Sequence, residues 1–366
     1  MGITRPTVME VDLDAFEYNV EQIKKCVGEN TAIMPVIKAN GYGTHINFRN
    51  EIIEKFDIVA VALVDEAIEL RNNGFSKEIF VLNQPFESEI EKIIQYNITI
   101  GLSDESFLKE IGKLKEEIKV HIEIETGMGR TGVDKSNLDE FIKMIIQYPN
   151  IKVEGVYTHL SSADYDDEYT KEQLQIFNDA TNKVKAVFNN LKYIHCSASN
   201  GIVNYPDSCY NLVRAGIILY GYESSDTTME KISLKPVCKL KSKITFLKEV
   251  EEGTSIGYSR KFITQKKTKV ATIPIGYADG LRRALSNKGE VIINGQKVPI
   301  IGNVCMDSFM ADVTQLKQVS VGDDAYIWDN EIITLEEVSN KCDTINYEIM
   351  STISNRVPRV FEKKEK

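Results

Sequence analysis

Eight short apolar runs, each separated from the next by a stretch of helical periodicity, constrain this chain more than any other feature. They are AIMPVIK (32–38), DIVAVAL (57–63), EIFVLN (78–83), ITIGL (98–102), KVHIEIE (119–125), VEGVYTHL (153–160), YIHCSAS (193–199) and NLVRAG (211–216). Strands alternating with helices make βαβ units and a parallel sheet. Eight of them over roughly 200–250 residues are what a (β/α)8 TIM-type barrel needs. The helical stretches rest on particular residues. Phe16, Val20, Ile23 and Val27 form one stripe behind Asp14 as N-cap, and VDEAIELRNNGF closes on Gly74 as a C-cap. An open doubly wound sheet is the alternative, but no GxGxxG follows the first strand.

The pattern changes after about residue 232. CKLKSKITFLKEV, KVATIPIGYA, EVIINGQKVPIIG, SFMADVT and DAYIWD are short strands joined by polar turns, Asn294-Gly295 among them. The chain is therefore expected to form a barrel over 1–232 and a mostly antiparallel β domain over 233–366, with a frayed EKKEK tail.

Composition narrows the partners. Of 366 residues, 42% are hydrophobic and 27% charged, as in ordinary soluble globular proteins. A net charge of −10 argues against nucleic acid, whose phosphates need a basic face. No apolar run approaches the roughly 18 residues that cross a bilayer. The opening MGITRPTVMEVD has no apolar signal core. Six scattered cysteines, with no CxxC, predict reduced thiols in a cytoplasmic protein and no metal site. A small-molecule partner is what remains.

In MPVIKANGYGTH (34–45) a buried strand ends on a lysine, Lys38. Barrel chemistry sits at the C-terminal ends of the strands. A lysine shielded from water there can have its pKa lowered and link covalently to a carbonyl. Pyridoxal 5′-phosphate is such a carbonyl, and three features are consistent with it. The loops after strands 7 and 8, where barrels often bind phosphate, carry Ser199 and Gly216-Ile217. Arg214 closes strand 8, and the pyridine nitrogen of this cofactor is paired with Asp or Arg. Tyr42, just past Lys38, offers a phenol to the phosphate. Taken singly, each has an ordinary explanation: a solvated strand end, common turn chemistry, a packed aromatic ring.

Eight motifs, in order along nearly the whole chain, resemble the alanine racemase family: VIKANGYG, ETGMGRTG, THLSSAD, VRAGIILYG, GYSRKF, IPIGYADG, GNVCMDSFMADVT and ISNRVPRVF. The resemblance implies a fold-type III pyridoxal phosphate amino-acid racemase acting on alanine. It also implies a homodimer whose active sites are each completed by the other subunit, and a role in supplying D-alanine for the cell wall. Lys38 is then the cofactor lysine and one base. Tyr258, from the partner's β domain, is the opposing base. His159 bonds that tyrosine and Arg214. Arg130 and, from the partner subunit, the Met306 backbone hold the substrate carboxylate, and Tyr277 stands at the entrance. Guanidinium keeps its proton near neutral pH, so a pyridine nitrogen facing Arg214 stays unprotonated and the ring is a restrained electron sink.

Two positions depart from the family pattern. Many members have a carbamylated lysine where HIEIETGMGR has Glu123, which predicts a Glu123–Arg130 pair in its place. His121, Glu123 and Glu125 share one strand face. The family's usual tyrosine is Asn355 here, beside the cofactor phosphate and the substrate. That smaller residue resembles the serine racemases of vancomycin-resistance type, although those carry an N-terminal membrane domain that this sequence does not show. Alanine racemisation with enlarged acceptance of serine is expected; serine racemisation as the main activity is the alternative. A fold-type III decarboxylase fits less well, since no adjacent glycine pair supplies that family's phosphate loop. A lone-barrel cofactor carrier lacks the β domain.

Overall fold

The structure, a computed structural model, describes residues 4–222 and 231–363. Most of the lysine-rich tail therefore lies outside the described residues. Two compact units are present, one formed by residues 17–41 and 45–235, the other by 1–16, 42–44 and 236–366.

The first unit is built on parallel strands. After β1 (Val8–Asp12), which belongs to the second unit, come β2 (Ala32–Pro35), β3 (Ile58–Val61), β4 (Glu78–Val81), β5 (Thr99–Leu102) and β6 (Ile118–Glu125). A short β7 (Val133–Asp134) precedes β8 (Ile151–Tyr157), β9 (Tyr193–His195) and β10 (Leu212–Ala215). The order β3-β4-β5-β6-β8-β9 is continuous, with β7 paired to β6. Arg214 N–H donates to Ser197 O (3.0 Å) beyond the end of β9, β10 pairs with β2, and Val36 bridges Ala60 after β2, so the eight principal strands close a ring. Each expected apolar run contains or overlaps one of them, with β6 starting one residue and β8 two residues before its run. β3 and β5 are buried at every position, because helices cover one face and the barrel interior the other.

Local chemistry sets the helix ends. The helix Leu13–Val27 begins two residues earlier than an Asp14 cap requires; Asp12 Oδ1 accepts from Ala15 N–H (2.9 Å), and Asp14 sits in the first turn. Gly74, with φ +91°, ends the helix Val64–Asn72. Its N–H donates to Arg71 O while Phe75 N–H donates to Leu70 O, the paired bonds of a Schellman cap.

The second unit holds β11 (Cys238–Lys243), β12 (Phe246–Val250), the small hairpin β13 (Ser255–Ile256) and β14 (Phe262–Ile263), β15 (Thr268–Ile273), β16 (Glu290–Ile293), β17 (Gln296–Ile301), β18 (Phe309–Asp312), β19 (Asp324–Trp328) and β20 (Arg359–Glu362). A nine-stranded sheet runs β12-β15-β18-β17-β16-β19-β11-β1-β20. It is antiparallel except where β1 meets β20. The sheet thus takes in β1, from a stretch that periodicity alone leaves with the barrel. β11 alternates strictly between buried and half-buried residues, as a strand with one covered face does. Asn294 and Gly295, with φ +51° and +72°, form the two-residue turn between β16 and β17.

Candidate active site

The C-terminal ends of the barrel strands gather Lys38, His159 and Arg214. Lys38 follows buried Val36 and Ile37 beyond β2. After it the chain turns the uncommon way: Ala39 (φ 51°, ψ 50°), Asn40 (55°, 46°) and Gly41 (59°, 50°) make one turn of left-handed helix. Burial first, then the charges of Arg130 and Arg214, lower the Lys38 pKa against the opposing pull of Glu66.

Arg214 is fully enclosed on β10. NH1 donates to His195 Nδ1 (2.8 Å) and His195 O (3.1 Å); NH2 donates to Thr158 O (2.7 Å), Cys196 O (3.0 Å) and His159 Nδ1 (3.1 Å). Because guanidinium only donates, both imidazoles accept at Nδ1. Burial, then Arg214, Arg130 and Lys38, press the His159 pKa down to about 3. His159 is therefore neutral, its hydrogen bonds assign the remaining proton to Nε2, and that atom can only donate. The same logic runs inward. His195 Nε2 donates to His121 Nδ1 (2.9 Å), and His121, held at about 3 by burial first, carries its own proton on a buried Nε2 with no partner among the described residues. Two donors at the barrel mouth also lack partners among the described residues: the Lys38 amine and Arg214 Nε–H.

Ser199 opens the short helix Ser199–Asn204 after β9, and Gly216-Ile217 lead into the 3-10 turn Ile217–Tyr220 after β10. Tyr42, also buried, is grouped with the second unit.

The expected Glu123–Arg130 pair is not formed. Glu123 Oε1 instead accepts from Thr131 Oγ1 (2.9 Å). The loop before Arg130 turns at Gly127 and Gly129, with φ +132° and +68°, and leaves the arginine exposed while Thr131 reaches back to the strand. Glu125 accepts from the N–H groups of Gly127 and Gly129, which fixes this loop. Burial raises the Glu123 pKa in spite of the bonds from Thr131 and Tyr157.

In the β unit, Tyr258 is 72% exposed beside a cavity of about 410 Å³ that it lines with Ile256, Cys305 and Met310. Its carbonyl accepts from the Asn303 side chain (2.9 Å). Tyr277 and Met306 are held side by side, since Tyr277 N–H donates to Cys305 O and Ala278 N–H to Met306 O, each at 3.0 Å. A side chain on Gly276 would run into the carbonyls of Cys305 and Met306. Asn355 is exposed, and its neighbour Arg356 reaches Asp307 (2.6 Å) and Asp279 (3.3 Å). Asp279 is fully buried and also takes both NH groups of Arg5 (2.8 and 2.7 Å) and Gly276 N–H (3.0 Å). One buried carboxylate therefore ties together the loops of Tyr277, Met306 and Asn355.

Residues 11–224 match the family model described as the N-terminal domain of alanine racemase, and residues 237–361 match that of its C-terminal domain. The chain belongs to the alanine racemase family. The alanine racemase of Halothermothrix orenii is 39% identical, with 99% of this chain and 98% of that protein covered. That of Clostridium tetani is 40% identical, with 98% and 95% covered. Among solved structures, alanine racemase of Clostridium difficile 630 has a TM-score of 0.93 at 35% identity, covering 99% of this chain and 97% of that one. The Bacillus anthracis alanine racemase with bound L-Ala-P also has a TM-score of 0.93, at 32% identity, covering 100% and 97%.

For this alanine racemase-family chain, the sequence reading assigns no role to several residues that the geometry makes prominent. His195 and Asp279 are polar residues with several bonded partners inside apolar surroundings. Glu66 is legible only as an acidic residue in a helix first turn. Among the described residues no group of His, Cys, Asp and Glu could hold a metal ion, and no helix is long and apolar enough to cross a membrane.

Proposed function

We propose that this enzyme interconverts L- and D-alanine with pyridoxal 5′-phosphate joined to Lys38, and that it accepts serine more readily than family members with tyrosine at position 355. The unpartnered Lys38 amine and Arg214 Nε–H carry the reading, because they suit an aldehyde and a ring-nitrogen acceptor respectively. Ser199, Gly216, Ile217, Tyr42 and Asn355 would hold the phosphate end. The bound cofactor supplies an electron sink that acidifies the substrate α-hydrogen.

The chain's own groups do the rest. Lys38, its pKa lowered mainly by burial, takes or returns a proton at Nζ on one face of the α-carbon. The partner subunit's Tyr258 acts on the other face in a homodimer. A free phenol has a pKa near 10, so it needs a donor to stabilise its deprotonated form. Neutral His159, with its proton on Nε2, is suited to give that bond. Arg130 and the backbone of the partner subunit's Met306 orient the substrate carboxylate, and Tyr277 guards entry. Asn355 leaves room for a side-chain hydroxyl, which is also the observation that favours serine as the main substrate.

Purified enzyme should erase the optical rotation of L-alanine and of L-serine. Borohydride reduction followed by peptide mapping should place a pyridoxyl group on Lys38. A label on any other lysine, or none, overturns the reading.

A further inference from the structure

The left-handed turn behind Lys38 needs an explanation. For residues with a Cβ this conformation is disfavoured, because the Cβ comes too close to the following carbonyl oxygen. Asparagine and glycine tolerate it, but Ala39 has neither a polar side chain nor glycine's freedom. Strained backbone of this kind persists only where its surroundings over-determine it. The turn's own bond, Gly41 N–H to Ile37 O (2.9 Å), is one constraint, and His45 N–H to Asn40 O (2.8 Å) is another. Neither holds Ala39 itself.

Glu66 does. Its Oε1 accepts from Ala39 N–H at 2.6 Å, while Oε2 accepts from Ala62 N–H (2.8 Å) and Leu63 N–H (3.1 Å). Glu66 lies in the first turn of the helix Val64–Asn72, where an acidic side chain ordinarily reaches back to the N-cap N–H. Here one oxygen does that, and the other crosses to the neighbouring strand end and takes the first amide after Lys38. A single carboxylate thus locks the ends of β2 and β3 together at the lysine.

We infer that Glu66 is a positioning residue, holding the Lys38 backbone in its left-handed exit so that the amine meets its carbonyl partner already aimed. The inference rests on the reading of Lys38 as the cofactor lysine. It differs from a purely electrostatic role, in which Glu66 would act only through its charge on the amine, beside Arg130 and Arg214.

Three variants separate these possibilities: Glu66→Gln, Glu66→Ala, and Glu66→Ala combined with Ala39→Gly. A hydrogen bond to a charged group is commonly worth enough for about a 10- to 100-fold change in an equilibrium. Pyridoxal phosphate affinity, followed by absorbance on the apoprotein, should weaken by about that factor in Glu66→Ala and less in Glu66→Gln. In the cofactor-free protein, hydrogen exchange of the Ala39 amide should quicken by a similar factor while the β4–β6 amides stay protected. Glycine at 39 accepts positive φ without strain, so the double variant should regain several-fold of the lost affinity. If affinity and Ala39 exchange are unchanged in Glu66→Ala, the inference fails. It fails equally if affinity drops but glycine at 39 restores none of it, since the loss then comes through charge. Both outcomes are distinct from failure of the cofactor reading, in which unmutated protein shows no borohydride label on Lys38.

Discussion

Removing the charge of Asp279 tests whether one buried carboxylate holds the loops of the β unit. Its side chain is 0% exposed and meets two guanidinium groups, Arg5 at 24% exposure and Arg356 at 48%. Breaking a buried ion pair from one side typically costs about 3–5 kcal/mol. Both arginines keep part of their surface in water and can rehydrate, which lowers the expectation for Asp279→Asn to about 2–3 kcal/mol. Asparagine still accepts from Gly276 N–H, so the loss reports the arginine contacts. Arg5→Met leaves the carboxylate with Arg356 and should cost about as much. In the double variant the two losses should overlap by about 1.5–3 kcal/mol, because they share one hydrogen-bonded charge pair.

The acid limb is a second signature of the same pair. Burial alone would raise the Asp279 pKa, but the Arg5 bonds, the Gly276 N–H and the charges of Arg5 and Arg356 outweigh it and hold the carboxyl below its usual range. A depressed carboxylate stabilises the fold above its unfolded pKa and loses that contribution as pH falls through its folded value. The gap between parent and Asp279→Asn should therefore be full at pH 7 and shrink below about pH 4. Urea unfolding followed by tryptophan fluorescence is the assay, since the single tryptophan, Trp328, is buried on β19 of this unit. A cost under about 1 kcal/mol, or the same Arg5→Met cost in both backgrounds, would mean that the carboxylate does not hold these loops.

Three other outcomes are expected. Arg214→Glu should raise transamination, seen as pyruvate and pyridoxamine phosphate formed per racemisation event; no increase removes the case for a restrained ring. Asn355→Tyr should lower the ratio of kcat/KM for L-serine over L-alanine by about tenfold, the usual scale for steric discrimination of one small group, and an unchanged ratio dismisses serine acceptance at this position. Glu123→Gln should raise stability at pH 8 but not at pH 4, because a carboxyl whose folded pKa is raised loses stability as pH climbs through it; equal effects at both pH values would show that burial does not perturb it. Turnover of that variant also separates a working Glu123 from a space-filling one.

All eight barrel strands are legible because a parallel strand covered on both faces must be apolar nearly throughout. β1 is not, since VMEVD is five residues long and its partners lie at 238–241 and 359–362. The first cap is ambiguous because Asp12 and Asp14 are both acidic, and only the helix register chooses between them. Spacing brings Arg130 close to Glu123 in sequence, but two positive-φ glycines redirect the loop and leave Thr131 in its place. The left-handed turn escapes notice because alanine at 39 carries no signature of positive φ. The Arg5–Asp279 contact spans 274 positions, beyond any local pattern.

The pairing of Met9 with Arg359 also has a consequence for biosynthesis. A ribosome adding roughly 5–20 residues per second has made β1 tens of seconds before β20 emerges. Apart from the closing pair β2–β10, the intervening barrel strands find their partners within short spans of sequence, so most of the barrel can assemble while the nascent chain is still growing. β1 meanwhile waits, an unpaired edge open to misjoined neighbours. Trimming those first residues would leave β11 and β20 facing a gap, a lesion at the far end of translation caused at its beginning.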